Sequence, residues 1–120
     1  MSPRAQSRLR AICLALPGAA EQETWEAPTW RIRGRIFCMW RMAEDGTPAL
    51  WCKAPRGVQD MLVDAAPDRF FRPPYVGHKG WIGLRLAGRV DWEEVAVLVR
   101  RSWRMTAPKR VAQALPDQAP

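Results

Sequence analysis

The sequence predicts an α+β domain in which helices pack on one face of an antiparallel β-sheet. Three observations carry this. Residues 30–53 alternate with period two, as strands do. Trp30, Ile32, Ile36, Cys38, Trp40, Leu50 and Cys52 share the even parity and are all apolar, whereas Arg31, Arg33, Arg35, Phe37, Met39, Arg41, Trp51 and Lys53 on the odd parity are cationic or large and flat. Two further segments, near the start and the end of the chain, space their apolar residues at three and four, as one helical face does. A core requires the apolar parity. It does not require the other, and function is sought there.

Ser2 and Pro3 open the first helix, Ser as N-cap and Pro at the first helical position. Leu9, Ile12, Cys13 and Leu16 make its apolar face, Arg4, Arg8 and Arg10 point elsewhere, and Pro17-Gly18 ends it. Residues 19–28 read as a solvated connector with Glu21, Glu23 and Glu26, or as a short strand around Thr24-Trp25-Glu26. Strands around 30–32 and 36–40 form a hairpin whose tight turn at Gly34 presents Arg31, Arg33 and Arg35. That turn can change which face a residue joins. Glu44-Asp45-Gly46-Thr47 supplies the next turn, and Ala49–Lys53 the next strand.

Pro55-Arg56-Gly57 breaks the sheet, and Val58, Met61, Leu62 and Ala65 are spaced as a short helix ended by Pro67. Phe70-Phe71-Arg72-Pro73-Pro74-Tyr75 is held extended by its prolines and is no central strand. Ile82-Gly83-Leu84-Arg85-Leu86 is a strand with Ile82, Leu84 and Leu86 toward the core. Asp91 caps the last helix, with Glu94 placed for a capping box and Val90 and Val95 for a hydrophobic staple. Val95, Leu98, Val99 and Trp103 line its apolar face, and Arg100, Arg101 and Arg104 suit the negative end of its dipole. With 120 residues, 48% of them apolar, the chain is expected to form one domain over residues 1–110, with 111–120 as a flexible tail.

Composition narrows the function classes. No stretch approaches the roughly 18 apolar residues of a membrane span, and the apolar run 11–16 is too short for a signal peptide; a cytoplasmic location is the expectation. Cys13, Cys38 and Cys52 are odd in number and form no CxxC pair, so buried thiols are expected rather than a disulfide or zinc site. Net charge is +7, and 16 of the 19 cations are arginine, a balance that favours an anionic partner, nucleic acid first. His78 is the single histidine, and no P-loop, dinucleotide fingerprint, metal-binding His pair or nucleophile elbow is present. No catalytic residue, metal ligand or cofactor is assigned.

Leu16-Pro17-Gly18-Ala19, Arg35-Ile36-Phe37, residues 75–81 (YVGHKGW) and Val90-Asp91-Trp92 resemble the MmcQ/YjbR family over roughly residues 4–109. The resemblance implies a small α+β fold like that of the frataxin-like CyaY proteins, and DNA binding through a double wing of β-hairpins. Arg35 stands where the family commonly has lysine, a planar fork in place of a point charge. Frataxins carry acids on the first helix; here that segment has Arg4, Arg8 and Arg10 and no acid, which disfavours iron.

The expected function is therefore non-catalytic binding of DNA, in double-stranded form. Arg31, Arg33, Arg35, Arg41 and Lys53 would contact phosphate, with Arg56, Lys79 and Arg85 continuing the track. Phe37, Trp51 and Trp81 either stack on bases or cover the sheet's second face against residues 70–75. The alternative is an anion- or protein-binding module, with Phe71, Tyr75 and Trp81 walling an apolar cleft and Arg72, His78 and Lys79 fixing the ligand.

Overall fold

A local hairpin rule sets the first half of the sheet. The computed structural model describes residues 3–114, so the Ser2 cap and residues 115–120 of the expected tail lie outside the described residues. Helix α1 (Pro3–Leu14) is followed by strands β1 (Ala19–Thr24), β2 (Ala27–Ile32), β3 (Arg35–Met42) and β4 (Pro48–Cys52). Then come helix α2 (Val58–Ala65), the two-residue strand β5 (Phe70–Phe71), a 3-10 turn (Gly77–Lys79), strand β6 (Ile82–Arg85), helix α3 (Trp92–Thr106) and helix α4 (Lys109–Ala112). The six strands are antiparallel in the order β1-β2-β3-β4-β6-β5.

Residues 19–28 are not a connector. β1 pairs with β2 from Ala19↔Ile32 to Thr24↔Ala27, and Trp25-Glu26 is the two-residue turn between them. Trp25 has φ 53° and Glu26 φ 64°, the left-handed pair that such hairpins usually assign to Asn-Gly. A tryptophan and a glutamate there send no turn signal in the sequence. The strand itself is polar and largely exposed, as suits a sheet edge. Glu21 on this edge accepts from Arg10 of α1 at 2.7 Å and from the Trp30 indole at 2.9 Å. The Arg10 hydrogen bond, above all, holds its carboxyl below the usual carboxylate range.

The expected parity holds on β2, β4 and β6, and changes on β3. Arg33 (φ 53°) and Gly34 (φ 80°) form a second two-residue left-handed turn, which pairs Ile32 with Arg35 and Arg31 with Ile36. Trp30 then pairs with Cys38, so Phe37 is an extra, bulged residue. Up to the bulge the faces are inverted. Ile36 joins the second face, and Phe37 is buried with Cys38 on the helix side.

Helices α1 and α3 cover that side, α3 lying across β3 and β4. Leu9 and Cys13 of α1, with Leu16 in the turn that follows it, meet Val95, Leu98, Val99 and Trp103 of α3 and the even residues of the strands in one core. Trp103 donates to the Pro17 carbonyl at 3.1 Å, tying α3 to the end of α1. Asp91 caps α3 by accepting from the Glu93 and Glu94 amides, while the Glu94 carboxylate pairs with Arg69. Cys13, Cys38 and Cys52 are free and buried, and burial pushes the Cys38 and Cys52 thiols well above their ordinary range. Val111 and Ala112 of α4 pack against the same core, so the packed chain extends past residue 110. Among the described residues, no helix is long and apolar enough to cross a membrane.

Candidate nucleic-acid interface

The sheet's second face carries a small apolar cluster. Met39, Trp51 and Trp81 pack together there with Ile36, Phe71 and Val76. Phe71 lies over Gly83, whose missing side chain leaves room for the ring; a Cβ at Gly83 would overlap it. The chain from Phe71 to Val76 thus covers part of the face, leaving Trp51 5% and Trp81 8% exposed. Covering residues, not open stacking platforms, is what these two tryptophans are. Phe37 is withdrawn altogether, because the bulge turns it into the helix-side core.

The cations divide into held and free. Arg31 donates to Thr29 Oγ1, Thr24 Oγ1 and the Gly34 carbonyl at 3.0–3.3 Å, so its fork is spent on its own hairpin. Arg85 lies over the Phe71 ring at 4.9 Å, contacts the Pro67 and Asp68 carbonyls at 3.4 Å and pairs with Asp45 at 3.7 Å. Both serve the fold. Among the described residues, Arg33, Arg35, Lys53, Arg56 and Lys79 have no carboxylate partner. Arg33 and Arg35 are exposed and border a recess of about 460 Å³ against the end of α3, at Met105, Thr106, Ala107 and Pro108.

Lys53 has two of these cations, Arg35 and Lys79, near enough to act on its charge. Its ammonium stands 6.0 Å from the centre of the Trp81 ring, and its pKa is lowered, first by burial and then by the charges of Arg35 and Lys79. Its backbone N–H donates to Ser102 Oγ of α3 at 2.9 Å. Lys79 rides on the 3-10 turn, which α2 holds: the Gln59 amide donates to the Gly77 carbonyl at 2.8 Å and to the Trp81 carbonyl at 2.6 Å. Ser102 and Gln59 carry no residue-level signal of this role, since each acts on backbone far away in sequence.

Arg41 lies apart from that group, between two aromatic rings, 5.7 Å from the Trp25 centroid and 5.4 Å from that of Trp51. With Met39, Tyr75 and Val76 these residues line a cleft of about 420 Å³. The ligand cleft expected from residues 70–81 is therefore not assembled as read. Of the six residues named for it, Phe71, Arg72, Tyr75, His78, Lys79 and Trp81, Tyr75 alone borders this cleft, beside its neighbour Val76; Phe71 packs on Gly83, Arg72 pairs with Asp60 at 2.7 Å, Trp81 sits in the covering cluster, and His78 is exposed. Trp25 is the lining residue that the sequence does not announce, since residues 19–28 read as a connector or a short strand.

Comparison with known proteins adds three findings. The model of the YjbR family matches residues 14–105. No curated protein matches the chain. Among solved structures, the crystal structure of Deinococcus radiodurans protein DR2400, a DUF419 domain, is similar with a TM-score of 0.73 and 23% identity, over 92% of this chain and 88% of that one. The likeness to the last is one of fold.

Proposed function

The chain belongs to the YjbR family, and from that premise we propose that it is a non-catalytic DNA-binding protein that grips the phosphate backbone with Arg33, Arg35, Lys53, Arg56 and Lys79. One observation carries the reading: these cations lack carboxylate partners among the described residues, and at Lys53, whose pKa is lowered first by burial, the charges of Arg35 and Lys79 add to the shift. Like charges held together gain when an anion enters among them. Phosphate meets that need, and a basic protein of net charge +7 draws it electrostatically. Arg31 and Arg85, tied down within the fold, are assigned no phosphate.

The test is a titration of labelled duplex by fluorescence anisotropy across salt concentrations. Log affinity falls linearly with log salt, and each phosphate contact removed reduces the slope by about 1. Arg33→Glu with Arg35→Glu keeps the fold, since both side chains are exposed, and abolishes binding. A folded double mutant with unchanged affinity removes that turn from the site. Absence of binding even at low salt ends the phosphate reading.

A further inference from the structure

Trp25 and Tyr75 are the two most exposed aromatic side chains described, at 70% and 84%. Both have left-handed backbones, φ 53° and 69°. Such a conformation costs a non-glycine residue of order 1 kcal/mol or more, and it concentrates where a side chain must be presented. The two residues lie on different loops, fifty positions apart, and border one cleft.

The remaining walls define what that cleft accepts. Met39 and Val76 are apolar. Arg41 brings a guanidinium with no carboxylate partner among the described residues. Trp51 brings an indole N–H that is buried and has no hydrogen-bond partner among the described residues. An orphaned buried donor is rare in proteins. The side chains lining the cleft therefore offer flat faces and strong donors, with the Tyr75 hydroxyl as the single group that could accept. A complementary ligand is a flat ring whose edge carries acceptors.

We infer that this cleft captures an unpaired guanine of the bound nucleic acid. Guanine is the base with two adjacent acceptors, O6 and N7, on one edge, and an arginine fork matches them. Adenine and cytosine present an amino donor at that edge instead. Trp25 and Tyr75 flank the base, and the Arg41 guanidinium, 5.4 Å from the Trp51 centroid, meets its edge. This rests on the phosphate reading for the source of the base. Lys53 directly follows β4, two residues beyond Trp51, and two residues of extended chain span at most roughly 7 Å. A backbone held by Lys53 thus passes the cleft's mouth.

Neutral deoxynucleosides separate the two readings, because they carry no phosphate. Deoxyguanosine is titrated into the full-length ¹⁵N-labelled protein while the indole N–H signals are followed. The expected result is movement of the Trp25 and Trp51 signals, with deoxyguanosine binding at least about fivefold tighter than deoxyadenosine. Equal binding of the two, or no movement, overturns the assignment even if duplex DNA binds; movement with no duplex binding refutes the phosphate reading alone. Trp25→Asn removes the ring while suiting the left-handed turn, so it folds and weakens deoxyguanosine binding at least about fivefold. Unchanged binding by this variant overturns the proposal. Finally, a duplex with one unpaired dG is expected to bind more tightly than a fully paired duplex and than free guanosine monophosphate. Preference for the free nucleotide overturns the nucleic-acid source.

Discussion

Ser102 stands between two strands and satisfies both. Its Oγ accepts the Lys53 amide at 2.9 Å and donates to the Phe37 carbonyl at 2.6 Å. Phe37 is the bulged residue of β3, and Lys53 follows the end of β4, so this hydroxyl closes the sheet where its own ladder fails. It also anchors the backbone of Lys53, on whose charge Arg35 and Lys79 act.

Ser102→Ala leaves a buried carbonyl and an amide unpaired, which costs about 2 kcal/mol. Urea denaturation measures it. The same variant is expected to bind DNA more weakly than its residual fold predicts, because Lys53 loses its anchor. A loss of stability below about 0.5 kcal/mol would mean that other groups take over both partners.

Gly83→Ala places a methyl group into the Phe71 ring. Overpacking of this kind costs about 1–3 kcal/mol, and the relaxation displaces the covering segment 71–76 that brings Tyr75 to the cleft. Thermal denaturation reads the first effect and the exposure of Trp51 and Trp81 to a fluorescence quencher the second. Full stability with unchanged quenching would show that the ring moves freely.

Arg101 on α3 buries its Nε and one terminal nitrogen without hydrogen-bond partners among the described residues. Burial of unpaired charged donors is unfavourable. Arg101→Met, which keeps length and helix propensity, is expected to raise stability by about 1 kcal/mol. A drop of similar size would reveal an anionic partner held by that guanidinium.

Lys53 titrates below its ordinary value of 10.5 in the folded chain, through burial and then the Arg35 and Lys79 charges. Between the folded value and 10.5 the unfolded chain binds more protons, so stability rises with pH through that window and levels off above it. Lys53→Met removes the rise. DNA phosphate beside Lys53 raises its pKa, so binding at alkaline pH takes up protons, which calorimetry in buffers of different ionisation enthalpy detects. Proton release on binding would exclude Lys53 from the contact.

Local pattern made much of this protein legible in its sequence. The two long helical periodicities, the Asp91 cap, the α+β class and the helix-side parity of Trp30, Ile32, Trp40, Leu50, Ile82 and Leu84 all stand in the structure, because each depends on residues a few positions apart. The exchange of Ile36 and Phe37 depended on one bulged residue, and a period-two pattern carries no mark of an insertion. The β1–β2 hairpin was hidden because Trp25-Glu26 replaces the usual turn residues. Which arginines stay free was decided by partners across the fold: Thr24 and Thr29 hold Arg31, and Asp45 holds Arg85. The cleft joins residues from two strands and two loops, from Trp25 to Val76. Sequence by itself determined the elements and the charge; tertiary structure alone decided the site, since contacts between distant residues leave no trace in local periodicity.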